Sequence, residues 1–369
     1  MILEELKNRS DVELHVAMAG AILLSKYASK DANIKDILKK DGIDNIHEIH
    51  FNLDGGKKIT QAKTAGLGVI EFSSFFNHMK PDLIVVRGDR FEVLSAAVAA
   101  AYMNIPIAHI EGGDVSGTLD ESVRHAITKL SHIHFATNEP ARNRILKMGE
   151  QPEYVFNFGS PDIEVVHNII NNENGNRINL SMTGSGFDFQ PEEDYLMVTY
   201  HPVTTEIDRL VENTSILLEV IHETNLPVFW FWPNFDIGSE EISHELRAFK
   251  DQVPDNKIRF MRHIHPQKFI CLLKNTKCFI GNSSAGIKEC SYLGIPVINL
   301  GSRQNNRFRA DNVVDVGFAK EEIANALEEQ LKIGRYPVSD IYKIDESPSK
   351  KIASVLAEID LYIQKSFID

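Results

Sequence analysis

The stretch HIEGGDVSGTLDESVRHA (109–126) sets Glu111, Asp114, Asp120 and Glu121 around two glycines, directly after an apolar run. Shortly before it, PDLIVV (81–86) runs into Arg87, Gly88, Asp89 and Arg90. Carboxylates delivered side by side at two strand ends crowd one another and are partly buried. Both effects raise at least one pKa, so that one group works as acid and another as base near neutrality. The competing reading is structural. Thr118 and Glu121 fit a capping box, and Asp120 in a first helical turn suits the helix dipole. That reading accounts for Glu121 and adequately for Asp120, but for neither Glu111 nor Asp89. A hydrogen-bonded structural network remains the alternative for all of them.

A second group of polar residues follows later apolar runs: His201 after LMVTY, and Pro233, Asn234 and Asp236 after PVFWFW. The His263–His265 loop follows IRFMRH, Asn282, Ser283 and Ser284 follow KCFIG, and Ser302, Arg303 and Gln304 follow PVINLG. GNSSAG (281–286) leads into the helical pattern SAGIKECSYLG, where small residues and a helix N-terminus can receive an anion. Ordinary N-capping by Ser283 or Ser284 explains the same letters. Arg303, just past the next strand, favours a phosphate or diphosphate. Glu289, five residues after Ser284, either accepts from a ribose diol or is a solvated helix residue. The motif is neither a Walker loop nor GxGxxG, so neither an NTPase nor an NAD enzyme is indicated. His132 and His134 share a strand face and read as packing residues rather than metal ligands; His222 reads as a surface helix residue.

The elements that must carry these residues are short apolar runs alternating with amphipathic stretches. Strands are expected at 13–20, 81–86, 106–111, 132–137 and 154–159, then at 196–201, 227–232, 258–263, 277–282, 296–301 and 312–317. Helical periodicity falls between them, as in FEVLSAAVAAAYMN and EEIANALEEQLKI. Such repeats predict an α/β protein with parallel sheets covered on both faces. Ligands then bind beyond the carboxyl ends of the strands, where the polar residues lie. The turn-rich stretch 171–194 separates two sets of similar size. The expected domains are 1–163, a junction at 164–195, and 196–345, two Rossmann-like domains facing across a cleft. The closing helix within 346–369 can pack back on the first.

With 369 residues, 43% hydrophobic and 25% charged, the chain has material for two cores. A net charge of −13 argues against a nucleic-acid or anionic-membrane surface. Cys271, Cys278 and Cys290 form no CxxC pair and read as reduced, buried thiols. No leader or long apolar span is visible, so the cytoplasm is the expected location.

VRGDRFE (86–92), HIEGGDVSGTLDESVRHAITKLSHIHF (109–135), HPVTTE (201–206), PNFDIGS (233–239), GNSSAGIKE (281–289) and NLGSRQNNR (299–307) together resemble the hydrolysing UDP-N-acetylglucosamine 2-epimerases. The resemblance implies a glycosyltransferase-B-like fold and a reaction that uses neither NAD nor an obligatory metal. A base removes the C2 proton as UDP leaves C1, giving a 2-acetamidoglucal. Water then adds, with C2 protonated on the opposite face. Carried over motif by motif, Asp89, Glu111 and Asp120 are the catalytic carboxylates, undivided between acid and base, and His201 contacts substrate or diphosphate. Arg90, Ser283, Ser284 and Arg303 hold the diphosphate, and Glu289 the ribose. Asn234 and the 264–269 loop, with Ile264 and Phe269, line the sugar or uridine region. The expected partner is a UDP-sugar, and relatives suggest a homo-oligomer, a dimer or tetramer.

Two departures stand out. The family normally opens with a strand and a nucleotide-contacting loop, whereas this sequence opens on a helix with Ile2, Leu3 and Leu6 on one face. By that comparison a first strand is missing, and its absence is expected to expose ladder groups and weaken activity. Arg87 also stands where several relatives carry His, and is kept out of the catalytic set. On substrate, HIEGG and VRHAITK favour UDP-N-acetylglucosamine, while GSPDIE (159–164) and GSRQNNR resemble a sister group acting on UDP-2,4-diacetamido-2,4,6-trideoxyglucose. A retaining glycosyltransferase, a metal-dependent phosphohydrolase and a UDP-sugar-binding module are the competing classes.

Overall fold

The computed structural model describes residues 1–23, 33–53, 57–171, 184–234, 236–262, 264–342 and 346–369. Residues 172–183 of the polar junction, the Phe235 position of PNFDIGS and the His263 end of the IRFMRH run lie outside the described residues. The chain forms two compact α/β units, one of residues 1–165 with 342–369 and the other of residues 166–341. Among the described residues no helix is long and apolar enough to cross a membrane.

In the first unit β1 (Val16–Ala19) pairs in parallel with β2 (Ile46–Ile49). β3 (Ile84–Arg87), β4 (Ile107–Ile110), β5 (Ile133–Ala136) and β6 (Val155–Asn157) form a separate parallel sheet in that order. β4 and β5 are buried along their whole length, as strands covered on both faces should be. One face packs Val86 and Ile107 with Ile49, Phe51, Phe72 and Phe76, so both sheets share that core through helices Lys58–Met79 and Phe91–Tyr102. The other face packs Ala108, Ile110, Ile133 and Phe135 against Leu6 of the opening helix and Ile352, Ala353 and Leu356 of helix Pro348–Glu358. Glu164 fastens that last helix by accepting from Ser347 Oγ and, at 2.9 Å, from the Ser349 N–H.

The second unit holds one sheet: β7 (Ser185–Gly186), β8 (Leu196–Thr199), β9 (Val228–Phe231), β10 (Ile258–Met261), β11 (Cys278–Gly281), β12 (Val297–Leu300) and β13 (Val313–Val316). Its order is β13-β12-β11-β8-β9-β10-β7, parallel except for β7 against β10. The period-two geometry of a strand sends alternate residues to opposite faces. Leu196, Val198, Trp230 and Ile280 enter one core, and Met197, Phe229 and Phe279 the other. All three cysteines are buried.

Candidate active site

In the first unit the polar residues gather where β3 and β4 end. The ladder runs one residue past β3, with the Gly88 N–H donating to Ile110 O at 3.0 Å, and the chain then turns through Asp89 into helix Phe91–Tyr102. Beneath the turn lies His109 of β4, fully buried, with Nε2 2.8 Å from Gly88 O and Nδ1 3.1 Å from Thr128 Oγ1. A carbonyl only accepts, so Nε2 carries the ring proton. Burial pushes the imidazole down to about 4, which leaves it neutral.

Glu111 follows β4 in the left-handed region, with φ +69°. Few non-glycine residues adopt that conformation, and those that do concentrate at functional sites. Its side chain is largely buried, and Arg87 Nη2 lies 3.3 Å from Glu111 Oε1 while also pairing with Asp162. The next residue has to be glycine: a Cβ on Gly112 would meet His109 Nδ1 and Thr128 Oγ1 at 2.9 Å.

Helix Leu119–Leu130 supplies the third side of the group. Thr118 caps it, accepting from the Asp120 N–H at 3.3 Å, but Glu121 accepts from the Ser116 N–H at 2.6 Å instead of closing the box on Thr118. Asp120, Arg124 and Thr128 follow at four-residue intervals and so share one helix face. Arg124, 4% exposed, pairs with the Asp89 carboxylate and donates to Asp114 O at 2.9 Å. One face of one helix thus presents Asp120, grips the Asp89 side chain, and through Thr128 and His109 supports the Asp89 turn. Arg124 was not among the expected site residues. Arg90, assigned to the diphosphate, points its Nε at buried Glu92, 3.1 Å from Oε2.

The second unit builds its own group at the ends of β8, β9, β11 and β12. Buried Asn282 is the joint: its Oδ1 accepts from the His201 N–H and its Nδ2 donates to His201 O, both at 2.8 Å. Its own carbonyl accepts from Arg303 Nη1 at 3.0 Å and Gln304 Nε2 at 2.9 Å. The Asn234 N–H donates to His201 Nδ1 at 3.1 Å, and Asn234 Nδ2 lies 2.5 Å from Asp236 Oδ2. The His201 ring proton therefore sits on Nε2. Gly281 has φ +140°, and a Cβ there would fall 2.0 Å from Thr199 O.

Past Gly281 the expected single helix is two short ones, Ser284–Ile287 and Glu289–Leu293, broken at Lys288. Ser283 caps the first, accepting from the Ala285 N–H at 3.4 Å, and Glu289 opens the second. Ile264 and Phe269 are partly buried against the core, with Phe269 edge-on to Phe231 at 5.3 Å. His132 and His134 turn to other partners: His132 Nε2 meets Ile363 O at 3.0 Å and His134 Nε2 meets Glu150 Oε2 at 3.1 Å. Among the described residues no cluster of three or more His, Cys, Asp or Glu is arranged to hold a metal ion.

Each unit therefore carries a distinct group: carboxylates with arginine partners in the first, and a hydrogen-bonded His–Asn–Arg frame beside a small-residue loop in the second. The chain matches the family model for UDP-N-acetylglucosamine 2-epimerase over residues 4–357. It is 33% identical to a hydrolysing UDP-N,N'-diacetylbacillosamine 2-epimerase of Legionella pneumophila, covering 98% of this chain and 93% of that one. It is 28% identical to a UDP-N-acetylglucosamine 2-epimerase of Neisseria meningitidis, covering 100% and 94%. Its fold is similar to that of the Methanocaldococcus jannaschii UDP-GlcNAc 2-epimerase solved with UDP-GlcNAc and UDP, at TM-score 0.78, 20% identity and 96% and 94% coverage. The chain belongs to the UDP-N-acetylglucosamine 2-epimerase family.

Proposed function

We propose that the protein is a hydrolysing 2-epimerase that converts UDP-N-acetylglucosamine to N-acetylmannosamine and UDP. The observation that carries the reading is the group Asp89, Glu111 and Asp120. Two of the three leave adjacent parallel strands, and the third opens the helix whose Arg124 pairs with Asp89. Proton removal at C2 followed by proton delivery from the opposite face needs more than one carboxylate around one carbon, in different protonation states. In the second unit Arg303, Ser283 and Ser284 hold the diphosphate and stabilise the charge that grows on departing UDP. Glu289 binds the ribose, Asn234, Ile264 and Phe269 line the sugar or uridine region, and His201 offers its Nε2–H to the substrate. Arg90 turns from Glu92 to the diphosphate.

A second substrate is supported by the Legionella relative: the same chemistry on the UDP-linked diacetamido-trideoxy sugar. Incubation with each UDP-sugar in deuterium oxide, followed by NMR, tests both. Free N-acetylmannosamine deuterated at C2 is the expected product. A UDP-linked epimer would replace hydrolysis by simple epimerisation, and turnover confined to the diacetamido sugar would move the assignment to that substrate. UDP binding without turnover of either sugar would leave a binding module.

A further inference from the structure

Arg87 is the residue at this site that the proposed reaction leaves unused. It is the last residue of β3, half exposed, with its guanidinium set between two carboxylates from different elements. One is Glu111, at 3.3 Å, beyond the end of β4; the other is Asp162, in the first turn of helix Pro161–Asn171. The Glu111 charge is the largest influence on the guanidinium; burial opposes it, Asp162 adds to it, and the net effect tightens its hold on the proton. Glu111 meanwhile sits at φ +69°, with two buried glycines following it.

We infer that Arg87 is a positioning residue that braces the Glu111 carboxylate against Asp162, so that Glu111 enters the reaction as an anion fixed in one direction. This rests on the reading that Glu111 takes part in the epimerisation. Of the neighbouring charged groups, Asp89 is paired with Arg124, Asp120 opens the next helix, and Arg144 donates to Gly113 O. His109 beneath the turn is neutral. Arg87 places a cation directly on Glu111, and Asp162 is the group that keeps it there.

Removing a cation from beside a carboxylate raises the carboxylate's pKa, by about one unit where the pair is partly solvated. Arg87→Gln should therefore move the acidic limb of the kcat–pH profile up by about one unit, which is about ten-fold in rate on that limb. Arg87→Lys should restore most of the wild-type profile. Asp162→Asn removes the group that holds the guanidinium in place and should move the limb up as well, by less than Arg87→Gln does. A uniform fall in kcat with the limb unmoved would overturn the inference, because lost packing alone does that. The carboxyl resonance of Glu111, titrated by 13C NMR in unliganded wild type and Arg87→Gln, reads the same brace without substrate. An upward shift of about one unit supports it, and identical titration in the two proteins overturns it. Wild type that turns over neither UDP-sugar would sink the epimerase reading, and the NMR titration would still decide the brace.

Discussion

Acid should cost the first unit stability through His109, which lies beneath the Asp89 turn. The imidazole is fully buried, and burial holds it at about 4 in the folded protein, although its bond to Gly88 O pulls the other way. In the unfolded chain the ring takes up its proton near its ordinary 6.5. Between those values the unfolded state binds a proton that the folded state refuses. The stabilisation is whole above pH 6.5 and is lost as the pH falls towards 4. At about 1.4 kcal/mol per pH unit, the span from 6.5 to about 4 is worth about 3 kcal/mol. His109→Gln removes the titrating group while its amide can still donate to Gly88 O. Thermal unfolding of both proteins from neutral to acid pH should show wild type losing about 3 kcal/mol more than the variant, or about 10 °C in Tm for a unit of this size. Acid-sensitive groups remote from His109 are common to both and cancel in the difference. Parallel loss of stability in the two proteins, or a His109 resonance titrating near 6.5, would refute the reasoning.

Two further outcomes follow from the same geometry. Arg124→Leu leaves Asp89 and the Asp114 carbonyl without a buried partner and should cost about 3 kcal/mol, the low end for a broken buried pair because Asp89 is 25% exposed. Adding Asp89→Asn should recover part of this, with a coupling above about 1 kcal/mol in a double-mutant cycle of urea unfolding; additive losses would count against the pair. Gly281→Ala sets a methyl group 2.0 Å from the Thr199 carbonyl and should lower the stability of the second unit by about 3 kcal/mol or more, read as a fall in its urea midpoint. A loss under about 1 kcal/mol would mean that β8 and β11 can separate there.

The alternation of apolar runs and amphipathic stretches was enough to locate β1, β3 to β6 and β8 to β13, each within its expected run or one residue beyond it. β2 was invisible because IHEI buries only Ile49 and puts His47 and Glu48 in its centre. β7 is two residues long and carries no periodicity at all. The carboxylates were legible because a polar residue at the end of an apolar strand has few structural reasons to be there. Their supports were not. Arg124 reaches Asp89 across 35 positions, and Asn282 reaches His201 across 81. Partnerships of that span leave no local pattern, and only the fold reveals them. The same holds for Glu121, whose backbone target shifts to Ser116 because the loop before the helix curls under its first turn.

The first unit is completed by residues that follow the whole second unit in the sequence. Helix Pro348–Glu358 closes one side of its core, Tyr362 donates to His132 O, and Lys365 neutralises Glu150, while the Ile368 N–H bonds Gly149 O. On the ribosome, Ala108, Ile110 and Phe135 of the amino-terminal portion wait uncovered by Ile352, Ala353 and Leu356 until the whole of residues 166–341 has been made. Assembly therefore runs back to front: the later-made body can act as a folded insert while the earlier one is still open. Damage to residues 348–368 would be felt by the sheet of the earlier-made unit before it touched the later one.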